Sequence, residues 1–225
     1  MIVDVVIPAL DEERALPGVL ADLAQSGTVR ELLVVDNGSR DRTAQVAAAA
    51  GATVLSEPRR GYGAACLRAL AYLRARAQPP DVVVFSDGDG SDDAGALPEL
   101  LQAIARGADL VIGARTGALL PHQKAGNRVA TALIRLLYGH QYADLGPFRA
   151  IRWPALCALG MRDQGYGWTV EMQLRALRMG LKVCEVPVRA RPRVAGRSKV
   201  SGTLRGTAFA SGRILYTILR YATAR

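Results

Sequence analysis

The chain has 225 residues, half of them hydrophobic, and a formal net charge of +9. That length accommodates one α/β domain with a sizeable core, and three scattered cysteines, Cys66, Cys157 and Cys184, count against a disulfide framework or a zinc cluster. No acid follows Glu185 whereas nine basic residues do, so the whole positive excess is C-terminal; aromatics are only 5% and are not interleaved with it. This pattern points to an anionic ligand or an anionic membrane surface and away from nucleic acid.

Met1 leads straight into IVDVVIPAL, without the basic region and small-residue cleavage site of a signal peptide. A cytoplasmic protein is the expectation, with a peripheral position at the inner face of the membrane left open. Apolar runs and amphipathic stretches then alternate, as in βα units around a mostly parallel sheet. Strands are predicted at Ile2 to Ile7, Leu32 to Val35, Thr53 to Leu55, Val82 to Phe85 and Leu110 to Ile112. Helices are predicted between them: Leu16, Val19, Leu20 and Leu23 share one helical face, and Thr43 to Ala50 and Ala64 to Ala77 are rich in alanine and leucine.

After Gly113 the rhythm changes. The pattern predicts a helix over Asn127 to Tyr138, a strand over Pro147 to Ile151, a helix over Thr169 to Met179 and a strand over Lys182 to Val188. A basic loop, RARPRVAGRSK, follows, and then a helix over Ser201 to Tyr221 with Leu204, Leu215, Ile218 and Leu219 on its apolar side. Arg205, Arg213 and Arg220 interrupt that helix, leaving it short of the ~18 to 20 uncharged residues a membrane span requires. The layout is therefore one domain over residues 1–200 and an amphipathic helix over 201–225, packed on the domain or on a membrane surface.

Chemistry gathers where the strands end. In an open α/β sheet, ligands bind beyond the carboxyl ends of the strands, and here those ends read PALDEE, VVDNGSRD and FSDGDGSDD. Asn37, Gly38 and Asp41 suit a tight turn and a helix cap, whereas Asp36 closes its strand and points at the crevice. Asp87 and Asp89, separated by one glycine, are placed to meet one divalent ion. An all-oxygen set without histidine selects Mg2+ or Mn2+ over zinc, and such ions complete their shell with water and substrate phosphates. No GxGxxG follows the first strand, which argues against a dinucleotide site. His122 and His140 lack partners at ligand spacing.

VVIPALDEE, VVDNGSRDRT and the strand-terminal DGD, in that order, resemble family 2 of the inverting glycosyltransferases, which have a GT-A fold. DLVIGAR, ADLGPFRAIR and RVAGRSKVSGT are similar to the branch of dolichyl-phosphate mannose synthase and bacterial polyprenyl-phosphate glycosyltransferases. The resemblance runs over nearly the whole chain. It implies a nucleotide sugar donor and a Mg2+ or Mn2+ ion held by Asp89 with help from Asp87. It also implies donor contacts from Pro8, Leu10, Glu12, Asp36 and Gly88. Many relatives carry glutamine where this chain has Ser91, so Asp92 or a water is expected to take that metal contact.

Arg115, in GAR, is a candidate to stabilise charge on the leaving diphosphate. Asp144 stands where the family places an acceptor-side carboxylate, with Arg149 close behind. As a base, Asp144 serves a hydroxyl acceptor but is hardly needed by a phosphate, which is already ionised at neutral pH. In the basic loop, Arg193, Arg197 and Lys199 suit a phosphate-bearing acceptor, a lid over the donor diphosphate, or a merely solvated loop. Trp168 and Glu171, in GYGWTVEMQLRAL, suit acceptor contacts and also suit core packing and a helix start. The expected partners are a nucleotide sugar and a polyprenyl phosphate or other acceptor, with transfer to a soluble hydroxyl and a non-catalytic binding module as alternatives. A homo-oligomer stays open.

Overall fold

The computed structural model describes residues 1–117, 121–195 and 204–223. Seven strands form one sheet: β1 (Val3–Ala9), β2 (Val29–Asp36), β3 (Thr53–Ser56), β4 (Val82–Phe85), β5 (Leu110–Gly117), β6 (Arg149–Arg152) and β7 (Val183–Ala190). Their order is β3-β2-β1-β4-β6-β5-β7. Every neighbouring pair is parallel except those made by β6, which runs antiparallel to β4 and β5. The parallel part is what the alternating pattern predicts.

The helices are α1 (Leu16–Ala24), α2 (Thr43–Ala49), α3 (Tyr62–Arg74), α4 (Leu97–Ala105), α5 (Pro121–Tyr138), α6 (Trp153–Leu159), α7 (Trp168–Arg178) and α8 (Leu204–Thr223). They cover both faces of the sheet. On the fully buried strand β4, Val83 and Phe85 join a cluster with Leu70, Ile134, Trp168 and Ile218, whereas Val82 and Val84 join Leu16, Leu20, Leu97 and Ile104. Strand residues two apart thus serve one face each, and helices on both sides explain why β4 reads as an unbroken apolar run. Each fully buried Leu or Phe in these layers contributes about 1.5–3 kcal/mol.

Several boundaries differ from the sequence expectation for physical reasons. Strand β6 begins at Arg149 rather than Pro147, because proline has no N–H to give to a ladder. Helix α5 starts at Pro121, six residues before Asn127, where a proline costs little in a first turn. Helix α6 has only seven residues, too few to show a period, and ends at Gly160 in a left-handed conformation. Helix α8 packs on α5 and α7: Tyr138 Oη donates to the Ile218 carbonyl at 2.9 Å and Arg213 pairs with Asp163 at 2.9 Å. Among the described residues no helix is long and apolar enough to cross a membrane.

The sheet topology places the site. β1 lies between β2 and β4, so the C-terminal ends of these three parallel strands open at one edge. β6 then sets β5 beyond β4, which brings Arg115 to the same edge. One acid in β1 stays out of this edge: Asp4 is fully buried and held by Arg30 at 2.9 and 2.5 Å.

Candidate active site

A cleft of about 330 Å³ lies beyond the ends of β1, β2 and β4 and is lined by Pro8, Leu10, Glu12, Asp87, Gly88 and Asp89. Asn37, Arg60, Gly61, Tyr62, Tyr166 and Arg193 complete its wall. The turn after β1 is held hard against the turn after β2. Asp11, at φ 51°, is the one non-glycine residue with positive φ among the described residues, and it is fixed from both sides. Its N–H donates to Ser39 Oγ at 2.9 Å, its carboxylate accepts from Arg40 N at 2.7 Å, and Glu12 N donates to Thr43 Oγ1 at 2.8 Å. A left-handed residue over-determined in this way holds Leu10 and Glu12 in one orientation at the cleft.

Asp36 is not part of the cleft lining. Its Oδ1 accepts from Ser39 N at 3.0 Å, closing the turn. The neighbouring Asn37 reaches the cleft instead. Its amide donates to Glu57 O and Arg59 O at 2.9 and 2.7 Å and accepts from Gly61 N at 2.8 Å, which ties β2 to the start of α3.

The acidic loop after β4 divides its labour. Asp89 is 4% exposed; its Oδ1 accepts from Ser91 N at 2.8 Å and its Oδ2 pairs with Arg193 at 2.5 Å. Asp87 is half-buried on the cleft wall, and burial, then the neighbouring Asp92 and Asp89, push its carboxyl well above the usual range. Asp92 turns inward: its Oδ2 accepts from Asp87 N at 2.8 Å and from Ser86 Oγ at 3.3 Å. It therefore braces the strand-end turn. Burial raises the Asp92 carboxyl to about 7. Asp93 accepts from Gly95 N at 3.1 Å and starts the 3₁₀ turn Ala94–Ala96. Among the described residues no three His, Cys, Asp or Glu side chains form a ready-made metal cage.

A strap from the end of β7 crosses this loop. Arg191 N donates to Ser91 O and Val194 N to Asp89 O, both at 3.1 Å, while Arg191 pairs with Asp93 at 2.6 Å. Arg193 bridges Glu12 at 3.0 Å and Asp89 at 2.5 Å. Its guanidinium, expected on the acceptor side, sits between these two cleft carboxylates. Arg197 and Lys199 lie outside the described residues.

Asp144 is 2% exposed and fully engaged with Arg115. Its Oδ2 accepts from Arg115 N at 3.0 Å and from Nε at 2.6 Å, and its Oδ1 from Nη2 at 2.9 Å. Burial works to lower the Arg115 pKa, but the hydrogen bond and charge of Asp144 outweigh it and the net shift is upward. The guanidinium is thus a fixed cation within electrostatic reach of Asp92 and Asp87. With both oxygens engaged, Asp144 anchors Arg115, and to act as a base it would have to open one of them to its acceptor.

Three further residues expected on the acceptor side are buried. Trp168 is fully buried, edge-on to Phe85 with ring centres 6.0 Å apart, so it offers no stacking face to a ligand. Glu171 is fully buried and accepts from Arg162 N, Asp163 N at 2.7 Å, Arg175 Nε at 3.0 Å and Tyr221 Oη at 2.5 Å. It locks α7 to the preceding loop and to α8. Arg149 is fully buried too, donating to the carbonyls of Gly146, Pro147 and Thr169, and burial lowers its pKa.

A GT-A-type sheet with a cleft at its acidic strand ends defines a nucleotide-sugar-dependent glycosyltransferase. The family described as glycosyl transferase family 2 matches residues 4–130, and the chain belongs to that family. It is 42% identical over 212 residues to an uncharacterized glycosyltransferase of Mycobacterium tuberculosis, covering 92% of this chain and 94% of the relative. It is also 33% identical over 219 residues to the undecaprenyl-phosphate mannosyltransferase of Micrococcus luteus, covering 90% and 89% of the two chains. Among solved structures, the glucosyl-3-phosphoglycerate synthase of M. tuberculosis in complex with Mn2+, UDP and phosphoglyceric acid superposes with a TM-score of 0.82 at 25% identity. That likeness covers all of this chain and 79% of the synthase. Relatives of the polyprenyl-phosphate branch place the chain within that branch of the family.

Proposed function

We propose that the protein transfers a hexose from a nucleoside diphosphate sugar to a polyprenyl phosphate, with inversion at the anomeric carbon and with a divalent cation. The observation that carries this reading is the arrangement around the cleft: Glu12 and Asp89 bridged by Arg193, Asp87 lining the same cleft, and Arg115 held rigid by Asp144 within electrostatic reach of Asp87.

The donor set fits Mg2+ or Mn2+. It consists of carboxylate oxygens alone, and burial first, then the neighbouring carboxylates, raise the Asp87 carboxyl. Asp89 and Asp87 would hold the ion, and the donor diphosphate and water would complete its shell. When bound, the ion supplies charge stabilisation for the departing nucleoside diphosphate. Arg115, pre-positioned by Asp144, and Arg193, on the strap, add fixed positive charge on the same side. Pro8, Leu10 and Asn37 form the wall for the nucleoside.

A phosphate acceptor is its own nucleophile at neutral pH, which agrees with the absence of an open oxygen on Asp144. A lipid-borne acceptor agrees with the surface of α5 and α8. Neither helix contains an acid, and Val129, Leu136, Tyr216 and Leu219 are exposed on them alongside Arg128, Arg135 and Arg220. Basic and apolar side chains combined on adjacent helices suit peripheral contact with an anionic bilayer.

The test is a thermal-shift panel of GDP- and UDP-sugars with and without Mn2+, since a ligand bound only by the native state raises the melting temperature. One nucleotide class with Mn2+ is expected to raise it, and no shift with any of them would overturn the donor assignment. The metal effect also has a sign in pH. The folded-state Asp92 pKa of about 7 lies above its ordinary 3.8, so the native chain binds more protons than the unfolded chain between those values. Metal-free stability therefore falls as pH rises through that window. Asp87, whose carboxyl burial also pushes well above the ordinary range, must give up its proton to hold the ion. The stabilising effect of Mn2+ is therefore expected to be larger at pH 8 than at pH 6, measured as the Mn2+-induced change in Tm at fixed nucleotide.

A further inference from the structure

Three buried polar atoms lack a hydrogen-bond partner among the described residues: Tyr62 Oη, Trp168 Nε1 and Gln173 Oε1. Of the three residues, Tyr62 is the one that lines the cleft. An orphaned buried hydroxyl is destabilising, and its persistence here needs a reason.

The backbone around Tyr62 leaves it little freedom. Gly61 N donates to Asn37 Oδ1 at 2.8 Å, Gly63 N to Gly165 O at 3.1 Å and Ala64 N to Gln164 O at 3.0 Å. A Cβ on Gly61 or Gly63 would overlap the carbonyl oxygens of Gln164 and Asp163. The start of α3 is thus interlocked with the loop before α7, and every N–H from Gly61 to Ala64 except that of Tyr62 itself is accounted for. The hydroxyl alone is left over. On the same cleft wall stands Asp87, whose carboxyl makes no hydrogen bond or ion pair among the described residues. After burial, Asp87 is the largest influence raising the Tyr62 pKa, and Arg149 acts in the opposite direction.

We infer that Tyr62 is a positioning residue for the metal-holding carboxylate: in the loaded enzyme its hydroxyl donates a hydrogen bond to Asp87 and sets the direction in which that carboxylate faces the cation. The inference rests on the metal reading under Proposed function and goes beyond it in assigning an oriented support to one ligand. Outer partners of this kind tune affinity by fixing the geometry of the inner ligand. Without metal the hydroxyl has no partner, and with metal it gains one. The unsatisfied state is therefore confined to the free enzyme.

This gives Tyr62→Phe a signature that a packing residue lacks. Removing the hydroxyl is expected to leave metal-free Tm unchanged or raised, while the dissociation constant for Mn2+ in the presence of UDP or GDP rises about 10-fold. Free Mn2+ is counted directly by its electron paramagnetic resonance signal. In an Asp87→Asn background, the same Tyr62→Phe change is expected to have no further effect on Mn2+ binding. Unchanged Mn2+ affinity in Tyr62→Phe overturns the inference. So does an equal loss in both backgrounds, or a fall in metal-free Tm with affinity intact. A wild-type protein that takes up no Mn2+ overturns the metal reading first, and the role of Tyr62 with it.

Discussion

Asp89→Asn is expected to lower transfer by about 10³-fold, the scale of removing one electrostatic contact to developing charge, with the fold intact. Asn keeps the size of the side chain and the contact from Ser91 N, but loses the charge that meets Arg193 at 2.5 Å. Arg193 keeps Glu12 as a partner at 3.0 Å, so no cation is stranded in the metal-free protein. The loss therefore belongs to the loaded state. Circular dichroism and Tm close to wild type, together with turnover lowered on that scale at saturating Mn2+, are the expected pair of results. Retained metal-dependent turnover would remove Asp89 from the metal site.

Arg115→Ala has an effect of a different kind, because it removes one half of a buried pair. The Asp144 side chain is 3% exposed and would be left with a single backbone donor, Arg115 N. Stranding a buried charge costs about 3–5 kcal/mol, which for a chain of this size lowers Tm by about 10 °C. Transfer is expected to fall as well, but that fall alone does not separate chemistry from folding. A double variant does. Arg115→Met with Asp144→Leu replaces the pair by apolar groups, an exchange that is often neutral or stabilising. It is expected to recover most of the stability and none of the transfer. Recovery of transfer in the double variant would show that the guanidinium is not used.

The sheet was legible in the sequence because its signal is local. Unbroken β-branched runs such as Val82 to Phe85 mark strands covered on both faces, and Pro8, Leu10, Glu12, Asp87 and Asp89 are found at the cleft because strand ends can be read off those runs. What escaped depends on distant neighbours. Arg193 meets Glu12 across 181 residues, and that meeting follows from the pairing of β7 with β5, which composition does not encode. Trp168 carries the surface expected of a sugar platform, yet the same indole fills the core beside Phe85; burial decided between the two. The burial of Glu171 and Arg149 was equally illegible, since a charged side chain is ordinarily exposed. Tyr62, Asn37, Arg60 and Tyr166 were missed at the cleft. Asn37 and Gly38 read as turn chemistry, and the glycines flanking Tyr62 were the available hint of a close backbone approach.

The acceptor is the central claim, and a direct transfer assay tests it. The protein, Mn2+ and the nucleotide sugar that raises its Tm are incubated with a short-chain polyprenyl phosphate in detergent, and separately with soluble sugars and with a phosphorylated hydroxy acid. Labelled hexose is expected to appear on the lipid phosphate with inverted anomeric configuration, and not on the hydroxyl acceptors. Transfer to a soluble hydroxyl with none to the lipid phosphate would contradict the assignment and return Asp144 to consideration as a base.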